Sequence, residues 1–169
     1  MITCANMITV ITPLGPIRVV ANKDQITHVL FKDEPYNGNA TEDINANDLT
    51  PGTLLQDAAA QLGAYFDKRL IDFDLALAPA ATPFQSRVRA AMQAIPYGET
   101  LSYGAVAKSL NGSPRAVGQA CGKNPVPIVV PCHRILAANG RIGGFSGGDG
   151  VPTKRMLLAH EAPNLFASL

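Results

Sequence analysis

Residues 103–122, YGAVAKSLNGSPRAVGQACG, contain two short helical patterns on either side of a turn. Apolar side chains recur at helical spacing in the first half, and Asn111-Gly112 is typical of a turn. Ser113-Pro114 is a helix N-cap followed by proline at the first helical position, so a second helix begins there. Two short helices joined by a glycine-containing turn predict a helix-turn-helix.

The second of these helices, Arg115 to Gly122, has almost no side-chain bulk. It is rich in Ala and Gly, which permit close approach of another group to its backbone. The helix could pack tightly against a second helix, or it could lie in a narrow DNA groove with Arg115 as the long side chain at its start. The residues alone leave both interpretations open.

The first part of the chain, residues 1–78, is predicted to be a small antiparallel sheet with a helix across it. Short β-branched runs predict strands at residues 8–12, 17–21 and 25–32. The polar segment 33–50 is expected to be an exposed loop. The apolar period then becomes helical over residues 54–66.

The second part, residues 79–169, is predicted to be mostly helical. Thr82-Pro83 begins one helix, and a last helix is expected at about residues 153–161. The apolar run 128–130, flanked by prolines, predicts a short active-site strand. The predicted fold is therefore α+β, with an N-terminal supporting domain at 1–78 and a C-terminal domain at 79–169 that holds the helix-turn-helix.

The formal net charge of +1 is the sum of two unlike halves. Residues 1–78 contain five Lys and Arg and ten Asp and Glu, which gives −5. Residues 79–169 contain nine Lys and Arg and three Asp and Glu, which gives +6. A basic half indicates a polyanionic partner such as nucleic acid, although two solvated surfaces of opposite charge would give the same counts.

Several classes of protein are disfavoured by composition. No apolar run approaches the roughly 18 residues that a membrane span needs, and no secretory signal is expected at the N-terminus. Three cysteines, Cys4, Cys121 and Cys132, make a disulfide scaffold unexpected and predict free thiols in a reducing compartment, which favours the cytoplasm. Cysteine and histidine spacing typical of zinc is missing, so no metal is expected.

The segment 124–134, NPVPIVVPCHR, is the candidate chemical centre. A single cysteine such as Cys132 can be a buried small hydrophobe or a nucleophile, and the rigid proline frame with the neighbouring histidine favours the nucleophile. On an extended backbone the side chain of His133 would point away from Cys132, so proton transfer would need a bridging water. Glu161 is a candidate carboxylate to orient the imidazole, or else a solvated acid near the C-terminus.

A glycine-rich loop follows at residues 141–150, RIGGFSGGDG. It lacks the Lys-Ser/Thr of a phosphate-binding P-loop. Phe145 and Ser146 are the large and the hydroxyl-bearing side chains at its centre. One aromatic face and one hydroxyl on such a loop would suit a pocket for a flat heterocycle.

Taken together, these blocks resemble the O6-alkylguanine-DNA alkyltransferase (methylated-DNA–protein-cysteine methyltransferase) family. Residues 65–161 carry the resemblance strongly, and residues 1–64 fit only the outline of its ribonuclease-H-like N-terminal domain. The blocks in chain order are Thr82-Pro83-Phe84-Gln85, Ile95-Pro96-Tyr97-Gly98-Glu99-Thr100, Ser102-Tyr103, Asn124 to Arg134, Gly144-Phe145-Ser146-Gly147-Gly148 and Leu157-Leu158-Ala159-His160-Glu161.

The resemblance implies a suicide DNA-repair protein that transfers an alkyl group from O6 of guanine to its own cysteine once, with O4-alkylthymine as a further expected substrate. Cys132 matches the acceptor, and His133 matches a general base that acts through a water. Glu161 matches the carboxylate that orients the base, and Asn124 matches a hinge between helix and active-site strand. No cofactor is implied.

For the flipped base, the resemblance implies a pocket formed by a second group of residues. Tyr103 matches a tyrosine that helps to rotate the target phosphate and bonds the guanine, and Ser146 matches a donor near O6. The carbonyls of Cys132 and Ile135 match acceptors for the exocyclic amine. Lys154 matches a basic residue near the site. Phe145 stands where tyrosine is usual, which removes one hydroxyl contact.

For DNA, the resemblance implies binding of double-stranded DNA containing O6-alkylguanine by a monomer, through the minor groove. Arg115 matches the finger that fills the gap left by the flipped nucleotide. The other implied DNA-binding residues are Ala116, Gly118, Gln119, Gly122 and Lys123. Cys121 is interpreted as a small groove-facing or core residue.

Other departures from the family pattern are Arg89 and Met156, where tryptophans are common, and two extra residues around 149–152. The zinc ligands that some members carry near the N-terminus are missing. Two alternatives compete with the alkyltransferase. A damage-binding protein without transfer would have another residue in place of Cys132, and a Cys-His hydrolase would need direct contact between Cys132 and His133.

Overall fold

The computed structural model describes residues 5–38, 40–44 and 52–166. The chain divides into two compact units, Met1–Ala78 and Pro79–Leu169. We call them the N-terminal unit and the C-terminal unit. No helix in the described ranges is long and apolar enough to span a membrane.

In its described residues, the N-terminal unit consists of a four-stranded sheet and one helix. The strand order is β3-β2-β1-β4, with β1–β2 and β2–β3 antiparallel and β4 parallel to β1. The elements are β1 (Ala5–Thr12), β2 (Gly15–Ala21), β3 (Ile26–Phe31), β4 (Ala40–Ile44) and α1 (Leu54–Phe66).

The loop predicted for residues 33–50 is wrong at β4. The five residues ATEDI show no alternation of apolar and polar side chains, so the sequence pattern gave no strand signal. Their backbone nevertheless pairs with the free edge of β1, because any backbone can supply the N–H and C=O groups that an edge strand leaves open.

The core of the N-terminal unit forms where buried apolar side chains of neighbouring strands meet the helix α1. Ile8 pairs with Val19 across β1 and β2, and both are buried. The helix α1 contacts these two strands and buries Leu62 and Tyr65. Burial of such side chains removes apolar surface from water, which stabilises the folded state by about 25 cal/mol of free energy for each Å².

In the described residues, the C-terminal unit is mostly helical with one short parallel strand pair, β5 with β6. Thr82, Ser102 and Ser113 each accept a backbone N–H at the start of a helix, as N-caps do. The elements are α2 (Pro83–Gln93), β5 (Leu101–Ser102), α3 (Tyr103–Ser109), α4 (Pro114–Gly122), β6 (Ile135–Leu136), α5 (Val151–Glu161) and α6 (Pro163–Phe166).

The strand predicted at residues 128–130 is wrong. The backbone turns on itself here, because the Val130 N–H donates to the Val126 carbonyl at 2.9 Å and Ile128 has φ of +73°. Prolines on both sides remove N–H groups that a strand ladder would use. Residues 132–134 form a 3₁₀ turn, so the extended backbone expected at His133 is also wrong. The short strand is β6, which begins three residues after Cys132.

The α+β fold class itself is confirmed, with a small N-terminal sheet and a mostly helical C-terminal part. The helices α3 and α4 lie at the predicted positions and pack against one another around the turn at Asn111-Gly112.

The buried side chain of Leu62 provides a test of the N-terminal core. Leu62→Ala is expected to lower the free energy of unfolding by about 2–5 kcal/mol, since it leaves a cavity beneath the sheet. Ile11→Ala is the matched control, because Ile11 is 79% exposed, and it should change stability by about 0.5 kcal/mol or less. Urea unfolding followed by circular dichroism measures both; similar values would contradict this core.

Candidate active site

The C-terminal unit contains a cavity of about 360 Å³ with a cysteine in its wall. We call it the thiol cavity. It is lined by residues of α3, α4, the 3₁₀ turn and the glycine-rich loop 141–150. The lining residues are Tyr103, Gly118, Cys121, Gly122, Cys132, Gly144, Phe145 and Ser146. Six of them were predicted from the sequence as site residues, and Cys121 and Gly144 were not.

Cys132 is buried at the start of the 3₁₀ turn, and its N–H donates to the Val130 carbonyl at 2.8 Å. Burial raises the pKa of the thiol above its ordinary value. A hydrogen bond from the Asn124 side chain and the positive charge of Lys154 act in the opposite direction on this pKa. The resting state is therefore a protonated thiol, which needs a base before it can act as a nucleophile.

Asn124 determines the shape of the turn that leads to this thiol. Its Nδ2 donates to the Val130 carbonyl at 2.9 Å, and its Oδ1 accepts the Val126 N–H at 3.2 Å. Both ends of the turn are thus tied to one side chain that lies two residues beyond the end of α4. This arrangement links the position of α4 to that of Cys132.

His133 and Glu161 form a buried pair. The Nε2 of His133 lies 2.7 Å from Oε1 of Glu161, so the interpretation of Glu161 as a solvated acid is wrong. The other ring nitrogen, Nδ1, is buried and has no hydrogen-bond partner among the described residues. Because an ionised carboxylate only accepts, this contact favours the tautomer in which Nε2 of His133 carries the proton and donates it to Glu161. Nδ1 is then the basic atom of the ring.

The pKa values of this pair follow from burial and from their neighbours. Burial lowers the pKa of His133, while the hydrogen bond and charge of Glu161 raise it. For Glu161, burial alone would raise the pKa, but the hydrogen bonds and charges of His133 and Arg134 hold it well below its ordinary value. The imidazole is therefore poised as a neutral base beside a fixed carboxylate.

Arg134 is the residue that sequence reasoning missed. Its guanidinium donates from Nε to Oε2 of Glu161 at 2.8 Å and from Nη2 to Oε1 at 3.1 Å. Its Nη1 donates to the Ile95 carbonyl at 2.7 Å. The available signal was the presence of an arginine directly after the candidate base His133.

Lys154 is fully buried on α5 and connects two segments of the site. Its Nζ donates to the Ile135 carbonyl at 2.6 Å and to the Gly144 carbonyl at 3.3 Å. Nζ also lies 5.7 Å from the ring centre of Tyr103. Burial lowers the pKa of this ammonium group, while Cys132 and Cys121 favour its charged form and raise it.

Tyr103 and Cys121 are weak acids in the wall of the cavity. Burial, followed by the proximity of Cys121 and Cys132, raises the pKa of Tyr103 to about 12. Burial, followed by Cys132, raises the pKa of Cys121 to about 12, and its sulfur lies 3.8 Å from Sδ of Met92. Cys121 is therefore a buried, protonated thiol in the cavity wall, and of its two interpretations, groove-facing or core, its burial favours the core.

The glycine-rich loop closes one side of the cavity. Ser146 is exposed and its Oγ donates to the Gly122 carbonyl at 3.4 Å, at the end of α4. Gly143 has φ of +72°, and a Cβ there would lie 3.3 Å from Ala137 Cβ and 3.6 Å from the Tyr103 ring. The positive φ and the tight approach to Ala137 favour glycine at this position.

The helix α4 has two faces. Val117, Ala120 and Cys121 are buried, and α4 contacts α2 and α3. Arg115, Gln119, Gly122 and Lys123 are exposed, while Ala116 and Gly118 are half-buried. Close helix packing therefore explains one face, and the small, positively charged other face is available to a partner.

In the described ranges, no group of three or more His, Cys, Asp or Glu side chains is arranged to hold a metal ion. The titratable groups of the site instead act on one another. The site and fold define a class of protein with a buried cysteine, followed in the chain by a histidine that is paired with a buried carboxylate. The cysteine lies near a helix that exposes one face of small residues.

Comparison with known proteins narrows this class to one family. Residues 8–79 match the family model for the 6-O-methylguanine DNA methyltransferase ribonuclease-like domain, and residues 83–163 match that for its DNA binding domain. The chain belongs to the 6-O-methylguanine DNA methyltransferase family, which confirms the resemblance found from the sequence motifs.

Individual relatives cover nearly the whole chain. A methylated-DNA–protein-cysteine methyltransferase of Mycolicibacterium paratuberculosis is 40% identical over 163 residues, which are 95% of this chain and 94% of that one. The crystal structure of Mycobacterium tuberculosis O6-methylguanine methyltransferase has a TM-score of 0.79 at 37% identity, covering 94% and 93% of the two chains. A Mycobacterium tuberculosis OGT structure in complex with DNA has a TM-score of 0.78 at 34% identity, covering 97% and 99%.

Glu161→Gln tests the electrostatics of the site. At pH 7 the variant is expected to lose about 3–5 kcal/mol of unfolding free energy, since the Arg134 guanidinium stays buried without a charged partner. Because the folded-state pKa of Glu161 is lowered, its contribution is complete above the unfolded pKa of about 4.3 and is lost as the pH falls below it. The difference from wild type should therefore shrink at about pH 3.

The matched control is Glu99→Gln, which removes an exposed carboxylate of the same unit and should change stability by about 0.5 kcal/mol or less. Urea unfolding at both pH values measures the four free energies. A wild-type-to-E161Q difference that does not change with pH would contradict the lowered pKa.

Proposed function

We propose that this protein transfers an alkyl group from O6 of guanine in double-stranded DNA to Cys132, in one irreversible turnover. The observation that carries the proposal is the buried His133–Glu161 pair next to a cysteine that lines a 360 Å³ cavity. Membership of the 6-O-methylguanine DNA methyltransferase family supports the same chemistry.

The transfer begins with removal of the thiol proton of Cys132. Since burial keeps the thiol protonated, a base must act, and Nδ1 of His133 takes the proton through a bridging water. The sulfur then attacks the alkyl carbon, so an S–C bond forms as the O6–C bond breaks. The proton returns from His133 to the departing guanine, which leaves an S-alkylcysteine and an unmodified base.

A stacked guanine cannot reach Cys132, so the base must rotate out of the duplex at a cost of a few kcal/mol. In the cavity, Phe145 offers an aromatic face and Ser146 a hydroxyl donor near O6. Tyr103 bonds the base and helps to rotate its phosphate. The carbonyls of Cys132 and Ile135 accept from the exocyclic amine, and the bond from Lys154 holds the Ile135 carbonyl in place.

DNA binding is assigned to the exposed face of α4. Arg115 fills the space that the flipped nucleotide leaves, and the small side chains of Ala116 and Gly118 let the helix enter a minor groove. Gln119, Gly122 and Lys123 lie on the same exposed side. A protein without a sequence target depends on phosphate contacts, which the +6 charge of residues 79–169 favours. We propose that it acts as a monomer and without cofactor.

The observed contacts disfavour the two alternatives. A Cys-His hydrolase needs a thiol–imidazole hydrogen bond, but Nε2 of His133 bonds to Glu161 and Nδ1 has no partner among the described residues. A damage-binding protein without transfer would not need a buried base beside Cys132. O4-alkylthymine is a further proposed substrate, and the free thiol requires a reducing compartment such as the cytoplasm.

The proposal is tested by intact-protein mass spectrometry. Incubation with equimolar duplex DNA containing O6-methylguanine should add one methyl group, located on the peptide that contains Cys132. Cys132→Ala should abolish the gain. Cys4→Ala, which removes a cysteine of the N-terminal unit, should retain it. Binding of the damaged duplex without any mass gain would overturn the transfer and support the damage-binding alternative.

The DNA face is tested by the salt dependence of binding to undamaged duplex. Lys123→Ala is expected to make the negative slope of log K against log salt less steep by about 0.9, because one phosphate contact is lost. Lys23→Ala changes the N-terminal unit by the same charge and should leave the slope unchanged. Fluorescence anisotropy across a salt series measures both. Equal slopes for wild type and Lys123→Ala would exclude Lys123 from the interface.

A further inference from the structure

The guanidinium of Arg134 is held in one orientation by two segments of the C-terminal unit, α5 and the segment after α2. It forms a two-point pair with Glu161 on α5 and donates to the carbonyl of Ile95, just after α2. Its Cζ also lies 5.8 Å from the ring centre of Tyr97. The side chain is 4% exposed, so solvent hardly screens its charge.

The Glu161 carboxylate is correspondingly saturated. Oε1 accepts from His133 and from Nη2 of Arg134, and Oε2 accepts from Nε of Arg134 and from the Gly98 N–H at 3.2 Å. A carboxylate offers about four acceptor positions, and these contacts use them. The carboxylate therefore cannot rotate away from Nε2 of His133 without breaking several bonds.

The charges of the cluster determine which form of His133 is compatible with burial. Glu161 and Arg134 form a neutral pair, so the buried carboxylate needs no further cation. Without Arg134, the imidazolium form of His133 would be the nearest compensating charge. An imidazolium carries a proton on Nδ1 as well, and it could accept none from the thiol.

We propose that Arg134 is a positioning residue of the transfer: its two-point pair with Glu161 fixes the carboxylate on Nε2 of His133 and keeps Nδ1 unprotonated for the Cys132 thiol. The inference rests on the proposed alkyl transfer. Arg134 is not among the residues that line the thiol cavity, and it acts through Glu161 and His133.

The other charged and titratable groups around His133 raise or lower its pKa. On α5, Glu161 favours its protonated form, while Lys154 opposes it and lowers the pKa of His133. On its own turn, Arg134 also lowers this pKa, and Cys132 is neutral at rest. From the segment after α2, Tyr97 faces Glu161 and Arg134, and burial raises its pKa, so its phenol stays neutral. Arg134 is therefore the cation that directly pairs with the Glu161 carboxylate.

The first test measures the imidazole itself and needs no activity. Long-range proton–nitrogen NMR of ¹⁵N-histidine-labelled protein at pH 7 should find His133 neutral with its proton on Nε2. In Arg134→Gln the pH at which the ring becomes doubly protonated should rise by about one unit, while Arg134→Lys, which keeps a cation, should return it towards the wild-type value. An imidazolium in the wild type at pH 7, or an unchanged protonation midpoint in Arg134→Gln, would overturn the inference.

The second test measures single-turnover methyl transfer from O6-methylguanine duplex against pH. In Arg134→Gln the acidic limb should move up by about one pH unit, which slows transfer about tenfold on that limb but not at high pH. Arg69→Gln is the control, since it breaks an exposed Arg–Asp pair of the N-terminal unit and should leave the profile unchanged.

The two tests separate failure of the inference from failure of the proposed function. A rate loss that is equal at every pH would mean that Arg134 only supports the structure, and it would overturn the positioning role. Absence of transfer in the wild type would refute the proposed function and leave the NMR result to decide the orientation of His133. If Arg134→Gln does not fold, the wild-type tautomer and Arg134→Lys still decide it.

Discussion

The carboxylate of Glu161 is the constraint on which the C-terminal unit depends. A buried negative charge is costly unless it is paired and fully hydrogen-bonded, and this one draws its partners from two segments other than its own helix. The Gly98 N–H comes from the turn before β5, His133 and Arg134 come from the turn after the prolines, and Glu161 itself ends α5. The same contacts that satisfy the charge therefore fix the turn that carries Cys132.

The thiol in this frame is unreactive until a base acts on it. Burial opposes the charged form of Cys132, while the hydrogen bond from Asn124 and the charge of Lys154 favour it. A permanently ionised cysteine would be exposed to oxidation and to unrelated electrophiles. Keeping the proton on sulfur until a base such as His133 removes it would restrict reaction to a substrate already seated in the cavity.

The sequence predicted much of the site because its residues lie in short motifs. Tyr103, Cys132, Phe145 and Ser146 were named beforehand, and the fold brings them to one cavity. The turn at Ile128 could not be predicted, because a positive φ is rare for a β-branched residue and depends on the bonds from Asn124. The pairing of Arg134 depends on tertiary packing, and the polar strand β4 carries no periodic signal.

The two ends of the glycine-rich loop differ in how well they would tolerate substitution. At Gly143 the backbone has a positive φ, and a Cβ there would lie 3.3 Å from Ala137 Cβ, so any side chain would strain the backbone and press on Ala137. At the other end, Asp149 is exposed and only its N–H is bonded, to Thr153. For directed evolution of the protein, exposed Asp149 is the position of this loop that would tolerate diversity, whereas diversity at 143 would strain the backbone beside the tyrosine wall.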